Sequence, residues 1–108
     1  MTTYKPGDLV LVPYPLGDPL SGKKRPALIL AATDNEVVIA QVTGHEDGSP
    51  RSGDYKIVHW QQSGLLRASL VRMRFATLPT DALLRHLGSL HEDDLKATNE
   101  ALRSALII

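Results

Sequence analysis

Residues 69–78 read SLVRMRFATL, and their alternation of side-chain types is that of a β-strand. The apolar residues at 71, 73 and 75 point to one side of an extended chain, and the intervening residues point to the other. Two further apolar stretches lie upstream, PALILA at 26–31 and EVVIAQVT at 36–43, and both are typical of buried strands. Pro26 has no N–H to donate, so we expect it to open its strand. The sequence therefore predicts a mainly β protein.

The remaining elements are shorter. Further strands are predicted at 9–12, 55–58 and 86–90. Residues 13–22 hold three prolines and two glycines, a density that predicts a stiff loop and excludes an interior strand. Residues 61–64 predict one helical turn ending at Gly64. Acidic residues 92–94 open a C-terminal helix, because the helix dipole favours negative charge there. Together, these predicted strands and the terminal helix indicate one domain, residues 1–108, folded as a small SH3-like antiparallel β-barrel with a C-terminal α-helix.

The charge is balanced overall but not along the chain. Twelve Lys and Arg oppose 12 Asp and Glu, which argues against a generic nucleic-acid-coating protein. Residues 51–85 hold six cations against two anions, giving +4, whereas the segments before and after each carry −2. This basic middle either forms a cationic face or belongs to a mixed polar surface. The chain has no cysteine, no secretion signal and no membrane-length apolar run, so we expect a cytoplasmic protein without a membrane partner.

Three cations stand in a row at 23–25, directly before a predicted strand. Arg25 carries a planar fork of N–H donors that matches a phosphate group. Pro26 stiffens the backbone beside it and limits the conformations lost on binding. From these residues alone, Arg25 is either a phosphate-binding group or a solvated cation at the start of a strand.

The stretch KPGDLVLVPYPLGDPLSGKKRPALIL at 5–30 closely resembles the opening of the MazF/PemK family of toxins from toxin–antitoxin pairs. The likeness continues through VVIAQVTG at 37–44, HWQQSGLLRASLVRMRFATL at 59–78 and LLRHLGSLHEDDLKATNEALRSAL at 83–106. The resemblance implies the SH3-like barrel of MazF-like and gyrase-poisoning toxins, assembled as a homodimer. It also implies a metal-independent endoribonuclease that cuts single-stranded RNA at short sequences and is neutralised by a cognate antitoxin.

The chemistry implied by the resemblance starts from the ribose 2′-hydroxyl, which attacks the adjacent phosphate. The family's motif arginine maps onto Arg25, which would stabilise the charge that develops on the phosphate oxygens. Thr43 matches the family's second active position, and its hydroxyl can donate to a phosphate oxygen. Without the resemblance, Thr43 is simply a β-branched residue suited to a strand. Many relatives carry a small hydroxyl residue at the next position, where this chain has Gly44.

The general base is not settled by the sequence. Some relatives place an acid two residues after the arginine of the later strand, where this chain has Arg74. A mechanism that uses that carboxylate is therefore unavailable. His45 follows the strand that carries Thr43 and is a candidate base, because imidazole titrates near neutral pH. A lone loop histidine is ordinarily just solvated, and Glu46, Asp47 and Asp18 are weaker candidates.

Further residues are candidates for binding rather than catalysis. Lys23 and Lys24 are suited to backbone phosphates, and Tyr14 is a weak candidate for stacking on a base. Arg72 and Arg74 lie two apart on one strand face. Three roles are open for these two arginines. They extend a cationic track for RNA, or they pair with acidic antitoxin residues, or they are simply solvated on an outer face of the sheet.

The four histidines lack metal-ligand spacing in the sequence, so no metal or cofactor is expected. His91 is placed where a helix N-cap belongs, and Trp60 is expected in the core or an interface. The rival to a nuclease is a non-enzymatic interaction protein of the same fold, either gyrase-poison-like or a binder that has lost its base. The missing acid and the zero net charge favour this rival mildly.

Overall fold

The computed structural model describes residues 3–15, 20, 22–44 and 51–106. Its strands are β1 (Asp8–Tyr14), β2 (Lys23–Ala32), β3 (Glu36–Gly44), β4 (Tyr55–Lys56), β5 (Ser69–Pro79) and β6 (Arg85–Ser89). A short 3₁₀ turn at Thr80–Ala82 follows β5, and the helix α1 (Glu92–Leu106) closes the chain.

The six strands form one sheet in the order β4-β5-β3-β2-β1-β6. All five pairings between neighbouring strands of the described chain are antiparallel, and register shifts occur in β1–β6, β2–β3 and β3–β5. Such irregularities bend strands and increase their twist, and the sheet curls into a half-barrel with one terminal helix. The predicted SH3-like antiparallel fold with a C-terminal helix is confirmed.

Both faces of the curled sheet are apolar. Alternate residues of the central strands supply two separate cores, because successive side chains of a strand point to opposite faces. The first core lies under α1 and the 58–64 turn and contains Leu9, Leu28, Ala40, Val42, Ile57, Leu65, Val71 and Leu90. The second lies on the other face and contains Val10, Val12, Ala27, Ile29, Val37, Ile39 and Leu78.

Several predicted strand boundaries were wrong, and the predicted turn at 61–64 is present in a different form. β1 continues through Pro13, which pairs with Lys24, so the strand runs further into the proline-rich segment than expected. β2 begins at Lys23 rather than Pro26, because pairing with β1 extends it over the three cations. The expected helical turn at 61–64 is a hydrogen-bonded turn, in which the N–H groups of Ser63 and Leu65 both donate to the Trp60 carbonyl. Residues 16–19 and 21 of the predicted loop lie outside the described residues.

This turn sits directly against β6. A Cβ added at Gly64 would lie 2.2 Å from the Leu87 carbonyl oxygen, and one added at Gly88 would lie 2.3 Å from that of Ser63. Gly64 also has a φ of +89°, which disfavours any residue with a side chain. The two backbones therefore meet through paired glycines, and this contact fixes the segment that leads into residues 64–67.

Helix α1 packs against the rest of the chain through its first half, in which Thr98 is fully buried. His91 is the N-cap, as predicted: its Nδ1 accepts a hydrogen bond from the Asp93 N–H at 3.1 Å. The side chain of Leu95 packs against the first core. Asp94 is fully buried and binds the segment that follows β4. In the part of the chain that the structure describes, no helix is long and apolar enough to span a membrane.

Candidate nucleic-acid interface

Arg25 lies in β2 where that strand pairs with β1. It is paired with Val12, and its guanidinium carbon lies 4.7 Å from the centroid of the Tyr14 ring. This distance is that of a cation–π contact, which favours one placement of the guanidinium over the aromatic face. Tyr14, predicted to stack on a base, here holds Arg25. The prediction that Arg25 stands at a rigid position is consistent with this packing.

Thr43 lies at the end of β3, level with Arg25. Ala27 pairs with Gln41 in the β2–β3 ladder, so an extension of that register by two residues places Arg25 opposite Thr43. Directly opposed residues share a face of the sheet. Thr43 is 6% exposed and pairs with Leu70 on its other side. The backbone therefore brings the two predicted active positions to one place on the sheet.

A cavity of about 590 Å³ lies beside this position. It runs between the end of the sheet and the 64–67 segment, and its lining is cationic, apolar or hydroxyl-bearing. The lining residues are Leu11, Lys23, Lys24, Arg25, Pro26, Val42, Gly44, Gly64, Leu65, Leu66, Arg67, Ser69 and Leu87. The predicted phosphate-binding residues Lys23 and Lys24 line this cavity together with Arg25, whereas Thr43 is not among its lining residues. Such a mixed lining is suited to a polyanion that also carries flat apolar groups.

Arg67 is a site residue that sequence reasoning missed. Its guanidinium lies over Gly44: a Cβ added there would be 2.6 Å from Nε and 2.7 Å from both Cζ and Nη2. Glycine at position 44 therefore leaves room for a fourth cation at the cavity. The only sequence signal was that Arg67 contributes to the basic middle of the chain. This contact explains why position 44 carries no side chain here, although many relatives have a small hydroxyl residue there.

Arg72 is placed differently from the other predicted cations. It is 9% exposed, and its Nε and Nη2 donate to the two carboxylate oxygens of Asp54 at 3.3 and 2.9 Å. Burial of Asp54 would raise its carboxyl pKa, but hydrogen bonds from Arg72 and the Arg51 N–H outweigh this and lower it. Arg72 thereby anchors the 51–54 segment to β5. Arg74 is exposed and lies within the β3–β5 register shift. Their contacts with RNA or antitoxin stay predictions.

Two further positions bear on the chemistry. His45, with Glu46 and Asp47, lies outside the described residues, as does Asp18, so His45 stays a prediction.

Gln41 precedes Thr43 by two residues on the same strand and is 5% exposed. Its Oε1 has no hydrogen-bond partner within the described chain, and a buried acceptor of this kind ordinarily has a donor.

Solved structures that share this architecture include toxins and toxin–antitoxin complexes. An endoribonuclease in complex with its cognate antitoxin, from a Mycobacterial species, superposes with a TM-score of 0.74 at 20% identity, over 98% of this chain and 95% of that one. The Mycobacterium tuberculosis toxin MazF-mt6 gives 0.71 at 22% identity, over 91% and 94%. The MazE–MazF structure from Deinococcus radiodurans gives 0.70 at 19% identity, over 98% and 97%. These likenesses establish the class of fold, a MazF-type curled barrel.

The family follows from the sequence itself. Residues 5–106 match the family model of the PemK-like, MazF-like toxin of type II toxin–antitoxin systems. The chain belongs to this family, as its motifs predicted. No match was found among curated protein sequences.

Proposed function

We propose that this toxin is an endoribonuclease that cleaves single-stranded RNA without a metal ion, by attack of a ribose 2′-hydroxyl on its own phosphate. The observation that carries the proposal is the placement of Arg25 in a cavity lined by four cationic side chains, level with Thr43 when the β2–β3 register is extended by two residues. Structures named as endoribonucleases share the fold, which is consistent with the proposal.

In the proposed reaction, negative charge builds on the non-bridging phosphate oxygens as the 2′-oxygen bonds to phosphorus. Arg25 meets this charge with two parallel N–H donors, and the Tyr14 ring restrains the guanidinium before the substrate arrives. Thr43 donates its hydroxyl to the same phosphate. The bond between phosphorus and the 5′-oxygen breaks, the departing 5′-oxygen takes a proton from water, and the products are a 2′,3′-cyclic phosphate and a free 5′-hydroxyl.

In this scheme, the general base that accepts the 2′-hydroxyl proton is not one of the described residues that line the cavity. Among the residues that the structure describes, those lining the cavity include no histidine and no carboxylate, the usual general bases near neutral pH. His45 directly follows β3, two residues after Thr43. We therefore keep His45 as the proposed base.

Substrate binding is proposed along the rest of the cavity. Lys23, Lys24 and Arg67 neutralise phosphates that flank the cleaved one. Leu65 and Leu66 offer apolar surface to the bases, and Leu66 is 98% exposed. A cytoplasmic antitoxin with acidic residues would compete for these cations, and a second copy of the chain would cover exposed apolar residues as a homodimer.

The proposed activity is tested directly with purified protein, a mixed-sequence single-stranded RNA and EDTA. We expect discrete fragments that carry 2′,3′-cyclic phosphate and 5′-hydroxyl ends. The ends are identified by resistance to polynucleotide ligation before, but not after, end repair. RNA that stays intact with a folded protein that nevertheless binds it would contradict the proposal and favour the non-enzymatic binder.

A second experiment tests the role of Arg67 through Gly44. Gly44→Ala displaces the guanidinium and Arg67→Ala removes it, so each is expected to weaken binding of 2′-O-methyl RNA roughly 3–10-fold, a change typical of one lost phosphate contact. The double variant should bind as weakly as either single variant, because both remove one interaction. Binding is measured by fluorescence anisotropy.

The matched control is Gly22→Ala, since a Cβ at Gly22 meets no atom within 4 Å. It should bind RNA as the native chain does. If the losses of RNA affinity add up in the double variant, the two substitutions remove different interactions. Arg67 would then not act through its contact with Gly44.

A further inference from the structure

Two histidines that are far apart in the sequence lie against each other at the start of α1. The rings of His59 and His91 are stacked, with centroids 4.0 Å apart and planes inclined by 27°. Asp93 joins them: its Oδ2 lies 3.9 Å from His59 Nε2 and 3.8 Å from His91 Nδ1. We propose that these three side chains form a binding site for a divalent transition metal ion, with Zn²⁺ as the probe.

The separations of the donor atoms fit this ligand set. The three ligand atoms lie within 4.8 Å of one another. In a tetrahedral zinc site with bonds of about 2.1 Å, neighbouring donor atoms are roughly 3.4 Å apart. To reach this spacing, the two nitrogen–oxygen distances must close by a few tenths of an ångström, and the two nitrogens, which lie within 4.8 Å of each other, must also come to it by side-chain rotation. Imidazole nitrogen and carboxylate oxygen are donors that zinc accepts, whereas Mg²⁺ prefers oxygen alone.

The ring nitrogen of His91 that faces Asp93 acts as a hydrogen-bond acceptor. Because the Asp93 N–H donates to Nδ1 at 3.1 Å, that nitrogen presents a lone pair and the ring proton sits on Nε2. A metal ion at Nδ1 would replace the capping hydrogen bond that the Asp93 N–H donates to this nitrogen. Backbone contacts of this kind set which imidazole nitrogen is available to a ligand.

The backbone beneath the cluster is fixed without any ion. The carboxylate of Asp94 accepts hydrogen bonds from the N–H groups of Val58 and His59 at 2.9 and 2.8 Å. These bonds hold the 58–59 segment against the first turn of α1, so metal binding would not have to order either segment. The side chains of His59 and His91 are 34% and 36% exposed, which leaves an entry path and room for a water ligand.

The local electrostatics limit the affinity of this site for a cation. A cation at a helix N-terminus meets the positive end of the helix dipole, although Asp93 and the neighbouring Glu92 offset this charge. With three protein ligands and partial exposure, we expect affinity in the micromolar range rather than that of a buried structural zinc site. The bound ion would join the 58–64 turn to α1 by a second connection and stabilise the native state. This inference does not depend on the proposed nuclease activity.

The test is isothermal titration of the full chain with ZnCl₂ at pH 7.5, in a buffer that does not chelate, with a thermal melt at each concentration. We expect one zinc per chain, a rise in melting temperature, and no response to MgCl₂. Histidine protonation at pH 5.5 should weaken zinc binding markedly.

Two variants separate a ligand role from a capping role. His59→Gln leaves the helix cap intact and should weaken zinc binding at least 10-fold, as loss of one of three ligands does. His91→Gln should do the same while also lowering stability in the absence of metal. The control is His86→Gln, because His86 pairs with Asp8 at 3.6 Å and lies outside the cluster. Zinc binding that is absent in the native chain, unchanged in His59→Gln, or lost in His86→Gln would overturn the proposal.

Discussion

Arg25→Ala is expected to lower kcat/KM for RNA cleavage by about 10³-fold, roughly 4 kcal/mol of transition-state stabilisation. The loss should fall on kcat, since the charge that Arg25 meets on the phosphate is greatest in the transition state. Arg25→Lys keeps the charge but not the planar fork, so we expect it to recover only part of the rate. The measurement is initial cleavage rate against RNA concentration at fixed ionic strength.

Lys24→Ala provides the contrasting result. Lys24 lies on the same cavity wall, and in the proposed scheme it binds a phosphate that does not react. Its removal should raise KM several-fold with kcat nearly unchanged, as expected for uniform binding. It should also reduce the salt dependence of binding by about 0.7 in the log–log slope for single-stranded RNA.

The control for the Arg25 variants is Arg103→Ala. Arg103 is exposed in α1, and no residue of that helix lines the cavity. We expect its cleavage rate to stay within about twofold of native, the range of a neutral surface change. If Arg25→Ala cleaves RNA at the native rate while remaining folded, the phosphate-stabilising role is excluded.

The parts of this site that were predictable from sequence depend on local pattern. The alternation of side-chain types predicted β5, and the apolar run after Pro26 predicted β2. The position of Thr43 followed from the predicted end of β3. Such signals need only neighbours in the chain. The register between β2 and β3, which brings Arg25 level with Thr43, comes from pairing the two strands rather than from either alone.

The residues that sequence reasoning missed depend on contacts between distant segments. Arg67 is recognised as a site residue only once the 64–67 segment is seen to lie over Gly44. His59 and His91 showed no ligand spacing, yet the attachment of α1 to the chain after β4 stacks their rings. Arg72 had a strand assignment but no predicted partner, and its pairing with Asp54 spans 18 residues.

Asp94→Ala is expected to destabilise the protein by about 3–4 kcal/mol, the cost typical of leaving several buried donors without their charged partner. Asp94 is 0% exposed, and its carboxylate accepts from the Tyr55 hydroxyl at 2.5 Å as well as from two backbone N–H groups. Tyr55→Phe removes only the hydroxyl donor and should cost about 1 kcal/mol. Chemical denaturation at one fixed protein concentration measures both losses.

Asp93→Asn is the matched control, measured without metal. Both aspartates lie in the first turn of α1 and interact with the same helix dipole, but Asp93 is 78% exposed at its side chain. Its substitution should change the free energy of unfolding by no more than about 0.5 kcal/mol. A loss as large as that of Asp94→Ala would assign the effect to helix charge rather than to the buried hydrogen bonds.

The pH dependence of the Asp94 contribution follows from its pKa. Burial would raise that pKa, but the hydrogen bonds from Tyr55, Val58 and His59 outweigh it and lower the pKa below its usual value. A carboxyl whose pKa is lower in the folded state stabilises the protein above the unfolded pKa of about 3.9. That stability is lost as pH falls through the lower folded value. The difference in unfolding free energy between the native chain and Asp94→Ala should therefore be constant from pH 7 to about pH 5 and shrink below about pH 4. A difference that stays constant down to pH 2 would mean that the carboxylate charge is not what binds the 55–59 segment to α1.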